Sequence, residues 1–131
     1  MRVLIADCPA SLRDQIHVGL DAFATFQVDT ASGSEAMERL RRYEFDLVIL
    51  GIGADRDAAD RFLGRLFEQK NPPALIVVAK EVVIQELRGC EDRARFFTLL
   101  EEPLEPVGFF RAIHRFLQRR TMRGLRGATS N

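Results

Sequence analysis

No apolar run in this 131-residue chain approaches the ~20 residues that a membrane-crossing helix requires. The amino terminus meets its first acid at Asp7, too early for the apolar core of a secretory signal, so a cytoplasmic domain is expected. Cysteine is scarce: Cys8 and Cys90 have no metal-ligand spacing, and His17 and His114 lie far from each other in sequence. That excludes an encoded zinc site and predicts two reduced thiols; Cys90 should fall near the opposite end of the domain from Cys8, which argues against a disulfide. Lysine is nearly absent, with Lys70 and Lys80 the only two among 19 basic residues, a bias that reads as genome composition. Net charge is absent too, since 19 basic residues meet 19 acidic ones. The whole domain therefore has no electrostatic footprint for nucleic acid, and direct nucleic-acid binding is not expected. What is present suffices for a core: 47% of residues are hydrophobic and 29% charged, which excludes wholesale disorder.

Along the chain, apolar strand-like runs alternate with helical periodicity. Strands are expected over 2–7, 26–30, 45–50 (stopped by Gly51-Ile52-Gly53), 74–79 and 96–100. Helices are expected over about 10–21, from Ser32-Gly33-Ser34-Glu35 to Tyr43, 60–69, 81–88 and 106–120, with a polar loop or helix start over 54–60. Five strand–helix alternations with short connections require crossovers, hence a parallel sheet covered on both faces. The expected class is α/β, a doubly wound (βα)5 domain over 1–120, followed by a flexible tail or linker over 121–131.

The order of elements resembles the receiver domain of bacterial response regulators, the chemotaxis-type flavodoxin-like fold with strand order 2-1-3-4-5. The resemblance rests on Met-Arg-Val-Leu-Ile-Ala-Asp at 1–7, Phe-Asp-Leu-Val-Ile-Leu at 45–50, Pro-Ala-Leu-Ile-Val-Val-Ala at 73–79 and Glu-Glu-Pro-Leu-Glu-Pro at 101–106. It implies a signalling module without enzymatic activity of its own. The family's phosphorylation site uses an acidic pair that helps hold Mg²⁺, a phosphoacceptor Asp, and a hydroxyl and a lysine that grip the phosphoryl oxygens.

Carried over by position, the acidic pair becomes Asp7-Cys8, the phosphoacceptor Gly51, the hydroxyl Val78, the lysine Glu102 and the aromatic switch residue Leu99. The losses are mutually consistent, because a buried lysine without its carboxylate partner costs on the order of 3–5 kcal/mol. They imply a vestigial pocket with no cofactor and no metal. Two carboxylates, Asp7 and Glu102, are left near each other, and Arg56 or Lys80 is expected to reach one of them. Asp55, Asp57 and Asp60 offer a displaced phosphoacceptor, although acids also suit a helix start. Gly51-Ile52-Gly53 lacks the spacing of a dinucleotide fingerprint.

Val82, Val83 and Ile84 on a short helix cannot all face inward, nor can Phe109 and Phe110. The resemblance implies an interface on the fourth-helix, fifth-strand and fifth-helix surface, with Val82, Val83, Phe109, Phe110, Arg115 and Arg119 as candidates. From Arg111 to Asn131 there are six arginines and no acid. The overall expectation is a non-phosphorylatable receiver that works as a protein-interaction or homodimerising module in signal transduction or transcription regulation, with an output domain possible in a longer parent protein. Two alternatives stand beside it: a small-ligand sensor using the vacated pocket, and a receiver phosphorylated at a displaced Asp.

Overall fold

The computed structural model describes residues 1–129, and side chains through Met122 except those of Asp92 and Ala94. Its elements are β1 (Arg2–Ala6), α1 (Ala10–Asp21), β2 (Gln27–Ala31), α2 (Gly33–Arg42), β3 (Leu47–Ile52), α3 (Arg56–Glu68), β4 (Ala74–Ala79), α4 (Glu81–Arg88), a 3-10 segment (Glu91–Arg95), β5 (Thr98–Glu101) and α5 (Pro106–Thr129). The five strands form one parallel sheet in the order β2-β1-β3-β4-β5. This is the doubly wound arrangement expected from the alternation.

The strands read as continuous apolar runs because both faces are covered. Val3, Ile5, Ile49, Ile76 and Val78 pack against Leu12, Ile16 and Leu20 of α1 and Phe109, Ile113 and Phe116 of α5. Their alternates Leu4, Val48, Leu50 and Val77 pack against Leu40 of α2, Phe62 and Leu66 of α3 and Ile84 of α4. Gly19 is what lets α5 close on α1: a Cβ there would lie 2.5 Å from the Phe109 ring.

Several boundaries differ from the sequence reading. β3 does not stop at Gly51 but continues to Ile52, since Gly51 and Ile52 pair in register with Val78 and Ala79. α3 starts at Arg56, four residues early, because the Asp55 carboxylate accepts the Ala58 N–H at 3.0 Å and caps the helix. β5 begins at Thr98, later than Phe96. α5 does not end at Arg120 but runs to Thr129, a stretch without proline to stop it.

Candidate functional site

The carboxyl ends of β1, β3, β4 and β5 meet beside the point where strand order reverses between β1 and β3, the usual ligand position of such sheets. Asp7 and Cys8 lie against Gly51, Val78 pairs with Gly51 in register, and the Glu102 carboxylate is near enough to act on Cys8.

Immediately after β1 the backbone turns sharply, with Asp7 at φ 56°, in the left-handed region where Asp is tolerated better than most residues. This turn swings the carboxylate toward α2. Its oxygen accepts the Gly33 N–H at 2.7 Å, and Gly33 is the first residue of that helix. Anionic charge at a helix amino terminus is favourable, so the Asp7 carboxylate is engaged in holding α2 to β1. The same turn folds Cys8 over β3. A Cβ on Gly51 would lie 3.0 Å from the Cys8 Sγ, 3.0 Å from the Asp7 carbonyl oxygen and 3.2 Å from the Cys8 Cα. The space in which a phosphoacceptor side chain would begin is thus crowded by the preceding loop.

Cys8 itself is buried, and its thiol approaches the Ala6 carbonyl at 3.5 Å. Burial pushes its pKa up to about 12, and the negative charges of Asp7 and Glu102 push the same way; a hydrogen bond from the Gly51 backbone and the Arg13 guanidinium oppose the shift. The thiol is therefore protonated at neutral pH, and a buried protonated thiol is inert. Beside Gly51 in register stands Val78, fully buried among apolar neighbours. Half-buried Glu102 donates its backbone N–H to the Ala79 carbonyl at 2.8 Å and is joined to Pro103 by a cis peptide. Leu99 packs with the side chains beneath α2, α3 and α4.

Among the described residues neither Arg56 nor Lys80 forms an ion pair with Asp7 or Glu102. Arg56 turns to Glu86 on α4 at 2.6 Å, because the early start of α3 places it on the α3–α4 seam. Lys80 is exposed at the amino end of α4, where its carbonyl accepts the N–H groups of Val83 and Ile84. The cation felt at Cys8 is Arg13, half-buried on α1, a residue the sequence reading passed over. The available signal was its place one turn beyond Pro9, whose carbonyl accepts the Arg13 N–H.

The Mg²⁺ implied by the resemblance does not fit this donor set. Asp7 is committed to Gly33, Cys8 is a protonated thiol, and among the described residues no group of three or more His, Cys, Asp or Glu could hold a metal. Asp55 is used as the α3 cap, with Asp57 in the first turn behind it.

The interface candidates divide. Phe109 is 1% exposed and belongs to the core, and Val83 is partly buried against the other core face. Phe110 points away from the fourth-helix side: it stacks on Phe23 after α1, with ring centroids 5.0 Å apart. Of the apolar candidates only Val82, 65% exposed, is left on the α4 side. There Arg115 donates to the Thr98 hydroxyl at 3.4 Å, Arg119 lies over the Phe97 ring and Arg88 faces Glu101 at 3.9 Å. That surface is charged rather than apolar, with Glu81, Glu86 and Glu101 exposed among the arginines.

No family model and no curated protein matches the chain. Solved structures do. The chemotaxis response regulator CheY4 of Vibrio cholerae is similar at TM-score 0.72 and 21% identity, over 88% of this chain and 97% of that one. The signal receiver domain of an HD domain-containing protein from Pseudomonas fluorescens gives 0.76 at 16% identity, over 95% and 92%. The response regulatory domain of protein mrkE from Klebsiella pneumoniae gives 0.75 at 10% identity, over 91% and 97%. The fold is that of response-regulator receiver domains, a five-stranded parallel sheet in the order 2-1-3-4-5.

Proposed function

We propose that this chain is a receiver-type domain that cannot be phosphorylated and acts by protein–protein contact, as a binding module rather than an enzyme, in bacterial signal transduction or transcription regulation. The observation that carries the reading is the closure of Cys8 and the Asp7 carbonyl over Gly51. It accompanies an apolar Val78 and an acidic Glu102 where phosphoryl chemistry needs a hydroxyl and a cation. The charged surface carrying Arg115 and Arg119 beside Val82 suits a protein partner, and an output domain beyond α5 in a longer parent chain belongs to the same reading. Its place would be the cytoplasm; among the described residues no helix is long and apolar enough to cross a membrane. The small-ligand alternative gains no support from a site whose centre is crowded by Cys8.

Incubation with acetyl phosphate and Mg²⁺, followed by intact mass and peptide mapping, tests the reading. No phosphoryl adduct is expected. An adduct on Asp55, Asp57 or Asp60 would replace it with the displaced-phosphoacceptor alternative.

A further inference from the structure

The apolar side chains missing from the fourth-helix surface lie on the opposite edge of α5. Val107, Phe110, His114, Leu117 and Thr121 follow one another at intervals of three and four residues. That is the spacing of a seam along which one helix packs on another. The inward stripe of α5, with Phe109, Ala112, Ile113 and Phe116, is already buried in the domain; this second stripe is only partly covered, with Leu117 packed on the core and Phe110 on Phe23. Val107 is 54% exposed and Phe110 47%. Stacking holds the stripe rigid: Phe110 lies between Phe23 at 5.0 Å and the His114 ring at 6.2 Å, in both cases nearly parallel. On α1, one position before the glycine that meets Phe109, Val18 is 72% exposed. Val18, Val107 and Phe110 thus place large apolar side chains in solvent on two packed neighbouring helices, and contiguous exposed apolar surface marks contact sites.

The charges beside it indicate the occupant. α1 carries exposed Asp14 and Asp21, while α5 carries exposed Arg111 and Arg115 on its far edge. Gly19 sits against Phe109, so two residues further along each helix Asp21 and Arg111 stand at the same height. A two-fold axis lying in the contact plane and parallel to the helices keeps heights and exchanges edges. It therefore sets α1 of one copy against α5 of the other and brings each Asp21 to an Arg111. The face is complementary to itself in charge as well as in apolarity, which is what an isologous contact requires.

We infer that two copies of this chain associate through the α1–α5 face, with Val18, Val107 and Phe110 buried between them and Asp21 of each copy paired with Arg111 of the other. This deepens the interaction-module reading and rests on it. It moves self-association from the fourth-helix side to the first-helix side and leaves the fourth-helix surface free for another partner. The axis direction makes the two α5 helices parallel, so their continuations to Thr129 leave the dimer on the same side.

Sedimentation equilibrium over a concentration series, with circular dichroism to verify folding, tests this. The wild type should dimerise, and Val107→Glu should raise the dimer Kd at least about tenfold, since it places two acids in the buried seam. An acid in the first turn of α5 favours the helix, so this variant should stay folded. Asp21→Arg and Arg111→Glu should each weaken the dimer, and the double swap should restore it. Val82→Glu should leave it unchanged. A wild type that remains monomeric at all concentrations overturns the inference, as does dissociation by Val82→Glu but not by Val107→Glu, or failure of the double swap to recover affinity. None of these outcomes touches the absence of phosphorylation, and a phosphoryl adduct would not touch the dimer, so the two readings fail separately.

Discussion

Around Gly51, three atoms of the loop after β1 lie 3.0–3.2 Å from where a side chain would start, two of them backbone atoms that cannot rotate away. That position 51 is a glycine at the end of a buried strand is legible in the sequence, because the flanking apolar runs fix its register. The crowding is not legible, since it depends on the positive φ of Asp7, which turns Cys8 onto a strand more than forty positions away. Restoring the carboxylate alone should therefore fail. Gly51→Asp must push Cys8 and the loop outward, an overpacking cost of about 1–3 kcal/mol, read as a lower urea midpoint with unchanged m-value. The variant should also take no phosphoryl group from acetyl phosphate with Mg²⁺, because Val78 and Glu102 still lack the groups that would hold it. Wild-type stability together with a phosphoryl adduct would mean that the site is open. Arg13 illustrates the converse limit: its place one turn beyond Pro9 is the one local sign of it, and its relation to Cys8 arises only when α1 packs beside the end of β1.

Among the elements, β4 and α4 were readable to the residue, since an unbroken apolar run and a Pro-free amphipathic octet have few other interpretations. The boundaries that moved are those governed by caps and pairing. Asp55 begins α3 early through its own carboxylate, and β3 passes through Gly51 because β4 supplies a partner at each position. α2 takes its amino-terminal support from another element altogether. Ser32 occupies the N-cap but makes no side-chain bond, and Asp7 satisfies the Gly33 N–H from the end of β1. Removing that acceptor leaves a helix N–H without its protein partner and loses a favourable charge. Asp7→Ala should cost about 1 kcal/mol, with Asp7→Asn costing less because the acceptor oxygen remains. Urea unfolding gives the magnitudes, and amide hydrogen exchange should rise first at Gly33 and its neighbours. Equal stability of Asp7→Ala and wild type would mean that the contact merely fills space. The side of α5 on which Phe110 lies was not readable for a related reason: helical spacing separates inward from outward, while the choice between α1 and α4 as neighbour is made by the sheet order.

For the whole molecule, alternation of period-2 and period-3.6 patterns was enough to indicate a parallel doubly wound sheet, because short crossover connections leave only a handful of topologies, while the strand order came from the resemblance. Stability as a function of pH is the property through which the remodelled site should be visible in the fold as a whole. Cys8 has its pKa raised by burial from 9.0 to about 12, so the folded state favours the neutral thiol. Between those values the unfolded chain releases this proton while the folded chain retains it. The contribution is intact below pH 9 and is lost as pH rises toward 12, by about 1 kcal/mol per pH unit. Cys8→Ala lacks the group and should lose stability more slowly in that window, with Cys90 and all other alkaline titrations common to both proteins. Urea unfolding of both at pH 7.5 and 10.5 should show a drop about 1–2 kcal/mol smaller in the variant. Identical drops would mean that the thiol ionises in the folded state as it does in the unfolded chain. Cys8 would then not be sealed over Gly51.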